Sequence, residues 1–110
     1  MPKHTENVLY KQYRVMEGIA ERYLLSLNEL THKRKRCSNL EEKYYRIMVK
    51  EYVKIFERVY DSLDINQKEI IRCVFLKPEL IPWIKAQYSP ATFYRLRNKS
   101  INAFIGRFYA

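Results

Sequence analysis

Residues 89–110, SPATFYRLRNKSINAFIGRFYA, gather the side chains of this chain best suited to meet a nucleic acid. Ser89 can cap a helix, and Pro90 suits its first position, where no backbone donor is needed. Phe93, Leu96, Ser100, Phe104 and Phe108 recur at three- and four-residue spacing and make one packing stripe, with Arg95, Asn98, Lys99 and Asn102 on the opposite side. No Asp or Glu follows Glu79, while Lys85, Arg95, Arg97, Lys99 and Arg107 are basic. A capped helix whose polar face is cationic and amide in character matches a DNA groove. Docked by its N-terminal half, it directs Ala91, Thr92, Arg95, Asn98 and Lys99 at base edges: Arg pairs bidentately with guanine, Asn with adenine, and Thr or Ala meets a thymine methyl. Ser89 at the positive helix end, together with Lys85, Tyr94, Arg97 and Arg107, is placed for the sugar–phosphate backbone. The competing reading is a solvated basic face that caps a bundle.

Other chemistry is thin. Lys33, Arg34, Lys35 and Arg36 form the densest charge run; they either add phosphate contacts, or grip an acidic partner, or form a solvated loop. His32 lies in that basic segment with no carboxylate near it, and His4 falls near the chain start. His32 and Cys37 find no second pair of ligands at usable spacing, so no metal or other cofactor is expected. Glu41, Glu42, Glu51, Glu57 and Asp61 alternate with Lys and Arg, as solvated helix faces do. Gly18 and Gly106 stand alone, so no phosphate-cradling loop exists. Catalysis is not expected.

The elements that position the basic helix follow from hydrophobic spacing. The chain has 110 residues, a formal net charge of +9 and 47% hydrophobic residues, which bounds it to one small domain or a domain with a helical arm, with an anionic partner. With 2 Gly and 4 Pro there is little turn material for an all-β fold. Leu9, Tyr13, Met16, Ala20, Tyr23, Leu27 and Leu30 predict a helix over about 6–30, with a loose start before it. Gly18 inside it either weakens that helix or marks a close contact. The spacing Ser38-Asn39-Leu40-Glu41 reads as a capping box opening a second helix to about residue 63. Its expected core face is Leu40, Tyr44, Met48, Tyr52, Ile55, Val59 and Leu63, with Tyr45, Val49, Phe56 and Tyr60 beside it. The two helices should fold back as an antiparallel hairpin.

Asp64 or Asn66 then caps a short helix over 67–76 with Ile70, Ile71, Val74 and Phe75 inward. Pro82 opens another over about 82–87 with Trp83 and Ile84 inward. The fold class is all-α: a hairpin arm over 1–63, serving oligomerisation or interaction, and a tri-helical unit over 64–110. The 10 tyrosines suit helix seams and interfaces. In particular, Tyr44, Tyr45, Tyr52 and Tyr60 form either a dimer or polymerase-contact surface or intramolecular core. No stretch is long and apolar enough to span a bilayer, and two cysteines make no disulfide framework, so a reduced cytoplasmic setting is expected.

Tyr88, Ser89, Thr92, Phe93, Tyr94 and Arg95 match a motif close to Y-S-x-x-T-[YF]-Y-R, with Lys99 continuing its basic tail. On these residues, 64–110 resembles the region-4-type helix-turn-helix of bacterial sigma factors. More narrowly, it is similar to the ArpU and RinA group of phage-encoded late-gene transcriptional regulators. The resemblance implies a sequence-specific, double-stranded-DNA-binding regulator in a bacterial host cytoplasm. A homodimer is expected, with host RNA polymerase or another regulator as a further partner. Gln87 and Trp83 stand where the motif usually holds Gly and a small residue, which predicts a reshaped first half of the helix-turn-helix. The alternatives are a small terminase-like DNA-packaging subunit that assembles as a ring, and a protein-interaction module that modulates a related regulator.

Overall fold

The computed structural model describes residues 3–31 and 39–110, with side chains from residue 8 onward in the first segment. Helix α1 spans Lys3–Thr31 and α2 Leu40–Ser62; together they form the hairpin. Then come α3 (Ile65–Ile71), a π-helical turn (Arg72–Leu76), a 3-10 turn (Pro78–Leu80), α4 (Ile81–Lys85) and α5 (Pro90–Phe108). The described residues are all-α, as expected from a pattern with helical period throughout.

Local chemistry explains most boundaries. Helix α1 begins earlier than its apolar pattern, at Lys3. The cap of α2 is Asn39, whose side chain accepts from the Glu42 N–H at 2.8 Å, one residue beyond the expected Ser38, which lies outside the described residues. Helix α3 carries a full capping box: the Asp64 carboxylate accepts from Gln67 N–H at 2.8 Å, and the Gln67 side chain accepts from Asp64 N–H at 3.3 Å. Beyond α3 the turn widens, with Lys77 N–H donating to Arg72 O at 2.7 Å, and the three consecutive residues Cys73, Val74 and Phe75 are buried. Pro78 cannot continue the helix.

A single core is built from both halves of the chain. Met16, Ile19, Ala20 and Tyr23 of α1 and Val53, Phe56 and Val59 of α2 meet Ile70, Ile71, Ile84, Phe93, Ile101 and Phe104. Tyr23 stacks on Phe56 at 3.9 Å between centroids, Phe56 meets Phe104 at 4.8 Å, and Tyr52 abuts Phe108 edge-on at 5.7 Å. The tyrosines divide evenly between seam and surface. Tyr13, Tyr23, Tyr52, Tyr60 and Tyr88 belong to or pack on the core, whereas Tyr10, Tyr44, Tyr45, Tyr94 and Tyr109 are exposed. Buried phenols find acceptors on neighbouring elements: Tyr52 donates to Ile19 O at 2.9 Å, Tyr60 to Lys68 O at 3.2 Å and Tyr23 to Glu57 at 2.7 Å.

Two expectations are corrected, and one of the two readings of Gly18 is removed. The core side of α2 is Val49, Val53, Phe56, Val59 and Leu63, while Leu40, Tyr44, Met48 and Ile55 of the expected face are exposed. Both faces of this helix are apolar, so periodicity alone does not choose between them. Trp83 points outward at 51% exposure, and Ile84 alone fills the inward position on α4. Adjacent side chains on an α-helix stand about 100° apart, so with Ile84 turned inward Trp83 is carried to the side. Gly18 marks no close contact: a Cβ placed there would meet nothing within 4 Å.

Two measurements check this packing. Phe56→Ala removes the ring shared by α1, α2 and α5 and is expected to cost about 3–5 kcal/mol in denaturant titration, as large-to-small changes of a fully buried aromatic do. Burial holds the Tyr23, Tyr52 and Tyr60 phenols above the usual tyrosine range, and for Tyr23 the Glu57 hydrogen bond adds to it. Each therefore holds its proton more tightly folded than unfolded. That stability is fully present below about pH 10, the unfolded value, and is lost as pH rises through the folded values. Thermal midpoints followed by circular dichroism should hold from neutral pH and fall steeply in alkali, less so for Tyr23→Phe; an alkali-insensitive midpoint contradicts the packing.

Candidate nucleic-acid interface

Helix α5 begins where the cap chemistry requires. Ser89 sits in extended conformation, its hydroxyl accepts from Thr92 N–H at 3.3 Å, and it donates to Thr92 Oγ1 at 2.9 Å. Pro90 occupies the first turn. From there 19 residues run to Phe108, a rod about 28 Å long. Phe93, Ser100, Ile101 and Phe104 are buried, and Leu96 and Phe108 half-buried, so the expected stripe faces the core with Ile101 added. Ser100 fits that apolar side because its hydroxyl donates to Leu96 O at 2.7 Å.

The opposite side is the outward face. Ala91, Arg95, Lys99 and Asn102 are exposed and Asn98 half-buried, all within one arc of the helix. Among the described residues neither Arg95 nor Lys99 pairs with a carboxylate, in contrast to the i,i+3 pairs Arg14–Glu17, Glu51–Lys54 and Glu69–Arg72 elsewhere. Thr92 is half-buried, with its hydroxyl engaged in the cap.

The remaining basic residues of this region are held by other side chains. Tyr94 lies between two cations: Lys85 Nζ stands 5.4 Å from its ring centre and donates to its hydroxyl at 3.3 Å, and the Arg97 guanidinium lies 5.0 Å from the same centroid. Arg97 also packs on Tyr13 of α1 at 4.9 Å, and its Nη2 donates to Asn98 Oδ1 at 3.4 Å. Leu9, Tyr10, Tyr13 and Arg97 together line a shallow groove between α1 and α5. The α1 contribution was not legible in the sequence, since Tyr13 and Arg97 are far apart in the chain and no local spacing links them. Arg107 reaches the end of α2, where its Nη1 donates to Ser62 O at 2.7 Å and to Ser62 Oγ at 3.2 Å. It thereby satisfies a carbonyl that the last turn of α2 leaves without a helical partner.

The turn between α4 and α5 needs no glycine. Gln87 N–H donates to Ile84 O at 3.1 Å and Tyr88 N–H to Lys85 O at 3.3 Å, and no described residue has a positive φ. With Trp83 outside, Gln87 and Trp83 therefore do not obstruct this junction. The expected secondary basic patch, Lys33, Arg34, Lys35 and Arg36, lies outside the described residues. Among the described residues no group of three or more His, Cys, Asp or Glu could hold a metal, and no helix is long and apolar enough to cross a membrane. The Cys73 thiol is buried, and burial pushes it above the usual range.

No protein-family model matches the chain, and no curated protein or solved structure matches it.

The geometry makes Arg107 a structural residue. Arg107→Ala is expected to lower stability by about 1 kcal/mol through loss of its hydrogen bonds to Ser62. A thermal melt equal to that of the native chain contradicts this assignment.

Proposed function

We propose that this protein is a sequence-specific DNA-binding transcription regulator that lays α5 in the major groove. The observation that carries the reading is the outward arc of Ala91, Arg95, Asn98, Lys99 and Asn102: it is free of acids, opposite a stripe that faces the core, and continuous from a capped N-terminus. Arg95 and Asn98 read base edges, Lys99 meets a base edge or phosphate, and Ser89 with the first amides of α5 receives a phosphate. Tyr94 with its flanking Lys85 and Arg97 forms the shoulder along which the sugar–phosphate backbone runs. The cations there are already oriented by the ring, so ordering them costs less on binding.

The motif from Tyr88 to Arg95 supports placing the protein with the ArpU- and RinA-like regulators of phages and mobile elements. A regulator of that kind acts in a bacterial host cytoplasm as a homodimer, alongside host RNA polymerase. The net charge of +9 supports an anionic partner in general.

Selection of bound duplexes from a random pool, followed by titration of variants on the enriched site, tests the reading. Arg95→Ala is expected to cost about 1–3 kcal/mol on the selected site and to relax the preference at one base position. An enriched pool with no preferred sequence, or equal losses on selected and random duplexes, would leave only non-specific attraction. Failure to bind either would favour a protein-interaction module.

A further inference from the structure

The hairpin outlasts its own core. None of the residues from Leu40 to Met48 is buried, although α2 runs through them without interruption. Yet Leu40, Tyr44, Ile47, Met48 and Ile55 recur at helical spacing on the side opposite Val49, Val53 and Phe56, within an arc of about 100°. A stripe of that width ordinarily faces a core; here Met48 is 69% and Leu40 64% exposed. Together the five side chains present an area on the order of 600 Å², at the top of the range for the largest apolar patch of a typical monomer. It approaches the roughly 800 Å² that each partner contributes to a standard interface, with the flanking residues able to supply the remainder.

We propose that this stripe is the seat of a twofold dimer, in which α2 pairs antiparallel with α2 of a second copy about an axis between Ile47 and Met48. Such an interface must complement itself, and the stripe does so in this register alone of the two simple ones. Leu40 of one copy falls opposite Ile55 of the other, Ile47 opposite Met48, and Glu51, the charged residue within the stripe, opposite the Tyr44 hydroxyl. Parallel pairing in register would instead set Glu51 against Glu51. The edge of the stripe carries a second signature. Lys43 and Lys50 lie along one side of it, with Lys54 beside them held on Glu51 at 3.7 Å, and a twofold axis perpendicular to the helices brings like edges together. The dimer is thus held by apolar burial against lysine repulsion, and salt should strengthen it. An acidic helix bound to the same stripe would be released by salt. The surface named here serves the dimer of the proposed function but is argued from α2 alone, so its failure leaves the reading of α5 standing.

Sedimentation equilibrium of the full chain tests the pairing. The native protein should dimerise, and more tightly as salt rises from about 0.1 M to about 1 M, where the screening length falls from about 10 Å to about 3 Å. Ile47→Glu combined with Met48→Glu, at positions already exposed in the monomer, should raise the dimer Kd by more than about a hundredfold, since each copy would bury charge at the axis. As a check that does not depend on that variant, a short thiol cross-linker should join Leu40→Cys to Ile55→Cys when the two are mixed in a Cys37→Ser background, and neither strongly to itself. A native chain that stays monomeric, a dimer that salt dissociates, an undiminished dimer in the glutamate variant, or Leu40→Cys joined chiefly to itself would each overturn the proposal.

Discussion

Where the Phe56 ring meets Phe104, 4.8 Å away between centroids, the hairpin and the basic helix become one body. Both rings are essentially inaccessible, and Tyr23 also stacks on Phe56, so α1, α2 and α5 share one aromatic cluster. Burial of that cluster is worth several kcal/mol, a large share of what a domain this small retains. The orientation of α5 depends on it. With Phe93, Ile101 and Phe104 committed inward, the arc from Ala91 to Asn102 has no direction to face but outward.

The same constraint sorts the cations of the C-terminal region. A helix packed along one side leaves a free face and two shoulders, and each basic residue takes the role its angle dictates. Arg95 and Lys99 stand on the free face without carboxylate partners. Lys85 and Arg97 lie at a shoulder, where Tyr94 and Tyr13 replace carboxylates as neighbours. An aromatic neighbour orients a cation without neutralising it, which keeps positive potential at the surface. Arg107, at the far end, is turned back onto Ser62 and closes α2.

Much of this was legible in the residue order. The cap at Ser89, the proline after it, the stripe from Phe93 to Phe108 and the boundary at Asp64 are local signals, written within a few residues of where they act. The all-α class and the two-helix hairpin follow from spacing alone. The core side of α2 was not legible, because Leu40, Tyr44, Met48 and Ile55 repeat as regularly as Val49, Val53, Phe56 and Val59. Only the positions of α1 and α5 decide which set is covered. Trp83 shows the complementary failure: on a helix of barely more than one turn, hydrophobicity is a poor guide to direction. The pairing of Arg97 with Tyr13 is tertiary, and no feature of either local sequence announces it.

The outward arc of α5 is the proposed contact with DNA. Backbone amide shifts of the full-length protein, followed by NMR during titration with a selected duplex, test it most directly. The largest changes are expected on Ser89 to Asn102, centred on Arg95 and Asn98, with smaller ones at Lys85 and Tyr13. Changes concentrated on the exposed side of α2, or spread evenly over every lysine and arginine, would contradict it.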